Sequence, residues 1–217
     1  MAEHLTEEEQ VEAIKKWWKE NGTAVVIGIV VGLAAVIGVH TWMNYQKSRA
    51  IKASDAYNQF TAALNKKDTA DTDKLAQGML DDYKGTSYAA LTALQMAKQE
   101  VEANKLDAAA THVRWAMENP GHKTIGLIAR QRLAEVLLAQ DKLTEALAVL
   151  DQAKDPTFDP RFALVRGDIL RKQGKLEQAR EAYQLALTDP TLSGKEREFV
   201  EMKLDDMATP SLQENKK

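Results

Sequence analysis

Side chains able to do chemistry are few in this sequence, and their spacing suits no reaction. The four histidines are His4, His40, His112 and His122, and no two of them fall in an HExxH or comparable metal-binding spacing. His112 is expected on a repeat helix, His122 in a loop and His40 near a membrane edge, where a polar tip reaches headgroups. Cysteine is absent, which removes disulfides, thiolate metal sites and a thiol nucleophile. Adjacent carboxylates occur at Asp81-Asp82 and Asp205-Asp206. Neighbours on a helix point roughly 100° apart, a poor geometry for an acid–base pair. The sequence holds no nucleophile elbow, phosphate-binding loop or dinucleotide glycine motif. These residues predict no catalytic, metal or cofactor site and no small-molecule substrate.

Charge narrows the partners. Residues 1–22 carry six Glu against three Lys, and the remainder is balanced at 26 basic and 26 acidic. A nucleic-acid binder concentrates positive charge in a patch or stripe. The nearest approach is Arg166, Arg171, Lys172 and Lys175, but Asp168 and Glu177 interrupt it. A solvated helix face is the expectation there, with no nucleic-acid partner.

The elements that would carry these residues are helical. Leu, Ala, Lys, Glu and Gln are plentiful, while Pro and Gly number 5 and 11; such residues lose little rotamer freedom in a helix. Residues 23–43 read TAVVIGIVVGLAAVIGVHTWM, without a charged side chain. As a helix this stretch rises roughly 30 Å, the thickness of a bilayer core. Trp17 and Trp18 precede it, and Trp42 and Tyr45 lie at its end, rings that favour the headgroup level. Gly28 and Gly32 form a GxxxG step, better explained by ordinary glycine enrichment in membrane helices than by pairing. A cleaved signal peptide has a shorter apolar run and a cleavage site close behind it. Here the one candidate site, residues 48–50, lies well beyond the run, so an uncleaved signal anchor is predicted. Lys15, Lys16 and Lys19 on one side and Lys47, Arg49 and Lys52 on the other leave the positive-inside count tied.

Beyond the span the chain repeats. Gly167, Gly174, Lys175-Leu176, Ala179, Tyr183 and Ala186 recur 33 residues earlier as Ala134, Asp141, Lys142-Leu143, Ala146, Leu150 and Ala153. They recur 37 residues earlier again as Ala97, Asn104, Lys105-Leu106, Ala109, Val113 and Ala116. Gly, Asp and Asn share the turn position because each adopts turn conformations cheaply. The pattern resembles the tetratricopeptide repeat, a helix–turn–helix of about 34 residues. Residues 53–83 read as an earlier helix pair, with stripes Ala56, Tyr57, Phe60, Leu64 and Leu75, Met79, Leu80 around a polar loop at 65–73. Residues 195–207 read as a capping helix with one wet face, and 208–217 as a flexible tail. The expected fold class is all-α: one N-terminal transmembrane helix, then a tetratricopeptide-like helical-repeat solenoid with a C-terminal capping helix.

Such an array leaves a groove between stacked repeats. The tetratricopeptide register predicts its lining as Leu91, Leu94, Lys98, Val101 and Glu102, then Ile128, Gln131, Glu135 and Leu138, then Arg161, Leu164, Asp168, Arg171 and Lys172. The surface is mixed and lacks a Lys/Asn clamp for a C-terminal carboxylate. It predicts recognition of a folded partner surface or an extended apolar segment. Taken singly, Leu91, Leu94, Val101 and Leu138 each read somewhat better as inter-helix core.

The juxtamembrane run from Gln10 to Gly22, QVEAIKKWWKENG, followed by the span, Trp42, Gln46, Ser54, Tyr57 and the repeats, resembles the ancillary SecYEG translocon subunits over essentially the whole chain. The juxtamembrane run is the most specific part of that resemblance. It implies a single-pass type II protein of the bacterial inner membrane, with residues 1–22 cytoplasmic, 23–43 in the membrane and 44–207 periplasmic, which breaks the charge tie. It also implies association with the SecYEG translocon and with a membrane-anchored periplasmic chaperone of the peptidyl-prolyl-isomerase class. The implied task is to pass translocated polypeptides to periplasmic chaperones, without catalysis. The alternative is a cytosol-facing membrane scaffold that recruits soluble partners.

Overall fold

The computed structural model describes residues 7–153 and 155–208. His4 and residues 209–217 of the tail expected at 208–217 lie outside them, while Ala208 ends the last described helix. Among the described residues there are nine α-helices and no strand: α1 Glu7–Lys66, α2 Thr69–Asp82, α3 Ser87–Glu102, α4 Leu106–Glu118, α5 Lys123–Ala139, α6 Leu143–Asp151, α7 Asp159–Lys172, α8 Leu176–Ala186 and α9 Gly194–Ala208. The chain divides into two compact units, 1–52 and 53–217.

The first unit is helix, and its apolar residues are uncovered. Val30, Val31, Leu33, Val36, Ile37 and Val39 are each 59–66% exposed. A helix that is apolar on every side needs an apolar surround, and the described residues supply almost none. Its length and composition suit a membrane crossing. Trp17, Trp18, Trp42 and Tyr45 are exposed as well, as interfacial rings should be.

The second unit is a stack of hairpins, each closed by one kind of turn. Asn104, Asp141 and Gly174 all adopt positive φ, at 57°, 63° and 75°. Behind each, two backbone N–H groups reach into the last turn of the helix just ended. Asn104 N donates to Val101 O and Lys105 N to Glu100 O; Asp141 N to Leu138 O and Lys142 N to Leu137 O; Gly174 N to Arg171 O and Lys175 N to Leu170 O. This pair of bonds satisfies carbonyls that a helix end otherwise leaves open. A fourth copy was not expected. Lys67 has φ 58°, with Lys67 N donating to Leu64 O and Asp68 N to Ala63 O.

That fourth turn corrects the loop expected at 65–73. Helix α1 runs through Lys66, and α2 begins at Thr69, capped by the Asp68 carboxylate, which accepts from Asp71 N at 3.1 Å. A polar segment looks like a loop in composition. Here its side chains occupy the exposed first turn of a helix, where acidic residues suit the positive end of the dipole.

The four turns set a common register. The residue seven before each turn residue and the residue nine after it are buried: Phe60 and Ala76, Ala97 and Val113, Ala134 and Leu150, Gly167 and Tyr183. As the first member shrinks, the second grows. A Cβ on Gly167 would lie 2.6 Å from Tyr183 Cε1, so the last hairpin has no room for more than hydrogen there. Close-packed interiors hold a nearly fixed volume between two elements.

Two linkers, one between α6 and α7 and one between α8 and α9, are tied by buried aspartates. In Asp155-Pro156-Thr157, Oδ1 accepts both Thr157 N and Thr157 Oγ1 at 3.0 and 2.5 Å, and Oδ2 pairs with Lys123 Nζ at 2.6 Å. Asp189-Pro190-Thr191 repeats this with Thr191 at 2.8 and 2.7 Å and with Arg161 Nε at 3.2 Å. Each carboxylate joins its linker to the start of the preceding first helix. Helix α9 then opens with a capping box: the Glu196 carboxylate accepts Ser193 N at 2.8 Å and Ser193 Oγ at 2.7 Å. Val200 of α9 is fully buried against Tyr183, Leu170 and Ala179.

Candidate protein-binding groove

Helix spacing decides what α3, α5 and α7 present once their small residues are buried against their partners. On α3 the buried face is Ala89, Ala90, Ala93, Met96 and Ala97. That leaves Leu91, Leu94, Lys98 and Val101, three or four residues apart and so on one flank. On α5 the buried face is Leu127, Ala129, Leu133, Ala134, Val136 and Leu137, which leaves Ile128, Arg132, Glu135 and Ala139.

These two flanks enclose a cavity of about 540 Å³. Its walls include Leu91, Leu94, Lys98, Val101, Glu102, Ile128 and Glu135 of the predicted set, together with Gln95, Leu106, Val113, Arg132, Val136 and Ala139. The floor is apolar and the charges at the rim are matched: Lys98 faces Glu102 at 3.9 Å, and Arg132 pairs with Glu135 at 2.8 Å. Both pairs are largely exposed, so they orient side chains more than they stabilise the fold. Leu94 and Leu138 also pack on the buried core, so each serves core and surface. Val101 is 43% exposed, too open for inter-helix core.

A second cavity, about 620 Å³, adjoins the first at Ala139 and is lined by Leu138, Asp168, Arg171, Lys172, Phe199 and Lys203. Four of these belong to the predicted set. Asp168 accepts Tyr183 Oη at 2.6 Å and Lys203 Nζ at 2.5 Å. Burial, and then the Asp168 carboxylate, pushes the Tyr183 hydroxyl well above the ordinary phenol range, so it stays a donor. Lys203 also lies over the Phe199 ring at 4.5 Å and near the Tyr183 ring at 5.5 Å. Lys172 reaches back to Asp141 at 2.8 Å. Arg171 is exposed and has no ion pair among the described residues.

Three predicted residues do not join either cavity. Gln131 donates to Glu135 Oε1 at 2.9 Å. Arg161 is spent on the Asp189 linker and on Thr191 Oγ1 at 2.6 Å. Leu164 packs on the core around Tyr183. On α7 the register holds for Asp168, Arg171 and Lys172, while Arg161, in the first turn, is engaged with the linker. Of the residues that sequence missed, Arg132 and Ala139 follow from the spacing of Ile128. Phe199 and Lys203 had no signal, since α9 folds back from a distant part of the chain.

The three described histidines each have a nearby partner. His112 Nδ1 lies 2.8 Å from Glu100 Oε2, His122 Nδ1 accepts Thr124 N at 3.3 Å, and His40 Nδ1 lies 3.2 Å from Asn44 Nδ2. Among the described residues no three His, Asp or Glu side chains converge as a metal's ligands do. What the groove offers is an apolar trough with a charged end.

The sequence matches the family described as the tetratricopeptide repeat-like domain over residues 15–209. It is 30% identical to a protein of Escherichia coli (strain K12) named ancillary SecYEG translocon subunit, over 93% of this chain and 97% of that one. A protein of the same name from Neisseria gonorrhoeae is 29% identical over 95% of this chain and all of its own length. Another, from Haemophilus influenzae, is 27% identical over 95% of this chain and its full length.

Proposed function

This chain belongs to the family of ancillary SecYEG translocon subunits and carries its tetratricopeptide repeat-like domain, and from that premise we propose that it is a non-enzymatic adaptor of the bacterial inner membrane. Its N-terminal helix anchors it beside the SecYEG translocon. Its repeat domain faces the periplasm and helps pass emerging polypeptides to periplasmic chaperones, among them a membrane-anchored one of the peptidyl-prolyl-isomerase class. The observation that supports this reading is the pairing, in one chain, of an uncovered apolar helix with a groove whose floor is apolar and whose rim charges are matched. A membrane-tethered binding surface of this kind suits polypeptides that arrive unfolded.

Two measurements test the proposal. Alkaline phosphatase fused after Lys217 is expected to be active, since that enzyme matures only outside the cytosol. An inactive fusion returns the domain to the cytosol, as a scaffold for soluble partners. Photo-crosslinkers placed at Leu94 and Ile128 in intact cells are expected to capture translocon subunits, the chaperone or nascent exported chains. Crosslinks to unrelated proteins alone would remove the translocon role.

A further inference from the structure

The two cavities meet at Ala139 but differ in charge. In the first, each charged side chain has a partner of opposite sign. In the second, three cations stand against one carboxylate, and that carboxylate is already engaged. Asp168 takes the Tyr183 hydroxyl and the Lys203 ammonium. Lys172 is held by Asp141. Arg171 alone has no ion-pair partner among the described residues, and it lines the cavity while exposed. Lys203 is buried and held on Asp168, so that carboxylate is not free to neutralise Arg171.

From this asymmetry we infer that the groove selects an extended polypeptide segment bearing apolar side chains next to an acidic one. The apolar residues occupy the trough of Leu94, Val101 and Ile128, and the acidic side chain pairs with Arg171. The inference rests on the groove being the polypeptide-binding surface and adds its sequence preference. Arg fits a carboxylate bidentately through its planar fork, whereas the neutral rim of the first cavity attracts neither sign. An acidic side chain fits better than a chain terminus, because the second cavity holds no Lys/Asn clamp of the kind that grips a terminal carboxylate. The preference would favour acidic apolar stretches and disfavour basic ones.

The test uses the full-length protein in nanodiscs and dye-labelled twelve-residue peptides, read by fluorescence anisotropy. Three peptides share one apolar half and carry Glu, Gln or Lys in the other; a fourth is the Glu peptide with an amidated C-terminus. The Glu peptide is expected to bind about fivefold tighter than its Gln twin, the upper range for a solvent-exposed ion pair, and amidation should change nothing. Arg171→Glu should reverse the order, favouring the Lys peptide, with helical circular dichroism unchanged. Binding that ignores peptide charge and Arg171→Glu, yet is lost in Ile128→Glu, overturns this inference while the groove reading survives. Loss of preference on amidation assigns the site to a chain terminus and overturns it too. Binding untouched by either variant overturns both.

Discussion

The first hairpin, formed by the end of α1 with α2, puts the large member of its crossing pair on the first helix: Phe60 against Ala76. The fourth, α7 with α8, puts it on the second: Tyr183 against Gly167. Both large rings are fully buried, so the two hairpins fill the same space from opposite sides. The difference lies in what else the ring does. Phe60 sits in an apolar cluster with Ala76 and Met96, bordered by Tyr57, Leu64 and Leu75, and carries no polar atom. The Tyr183 hydroxyl donates to Asp168, which holds Lys203. Core packing in the fourth hairpin therefore fixes a charge in the groove, while in the first it joins the hairpin to α3 through Met96 and fixes no charge. Moving the bulk between helices is neutral for volume and decisive for the surface.

The comparison can be broken most forcefully at the rings. Tyr183→Ala and Phe60→Ala should each cost roughly 4 kcal/mol, the range for emptying a buried aromatic site, measured by urea unfolding of the full chain in micelles. Only Tyr183→Ala should also weaken peptide binding. If Phe60→Ala weakens it equally, the separation of roles is wrong. Next comes Gly167→Ala, whose methyl meets the ring at 2.6 Å; overpacking of this kind costs roughly 2 kcal/mol. Adding Tyr183→Ala to a Gly167→Phe variant transplants the first hairpin's arrangement. The double variant should be more stable than the sum of its single losses predicts, and additivity would show that the volumes do not compensate.

Tyr183→Phe keeps the ring and removes the hydroxyl. It should cost about 1 kcal/mol and sharpen the comparison by making the fourth hairpin resemble the first. The smallest effect is with pH. Hydrogen bonds from Lys123 and then Thr157 hold the Asp155 carboxyl down at about 2, against an ordinary value near 3.9. A folded value below the unfolded one means that stability is fully present above the unfolded value and is lost as pH falls through the folded one. Between about pH 5 and 2 the amides of α7, behind this linker, should lose exchange protection before those of α3, whose N-cap is the Thr86 hydroxyl. Lys123→Met should bring the Asp155 carboxyl back toward its ordinary range and shrink that difference.

The same division separates the turns that side chains announce from those they do not. Asn104, Asp141 and Gly174 were legible as turns because their side chains, or the lack of one, make the left-handed conformation cheap. Lys67 adopts the same φ with a side chain that announces nothing, so the first hairpin went unaligned. Its inverted pair, Phe60 with Ala76, also hid it from a pattern that looks for a small residue first. Seven residues of the first cavity were legible from helical periodicity on α3 and α5. Arg161 and Leu164 were misplaced because the linker and the core claimed them.

By itself the sequence determined what is local or periodic: an apolar stretch long enough for a bilayer, three left-handed turns, and helix faces set by a fixed angle per residue. Tertiary structure alone decided which large residue fills each crossing, that two aspartates bind linkers to earlier helices, and that Lys203 of the final helix lies against Asp168. Such choices depend on which surfaces meet across tens of residues of chain. No spacing along the chain encodes them, because packing conserves a volume that several distant residues can supply.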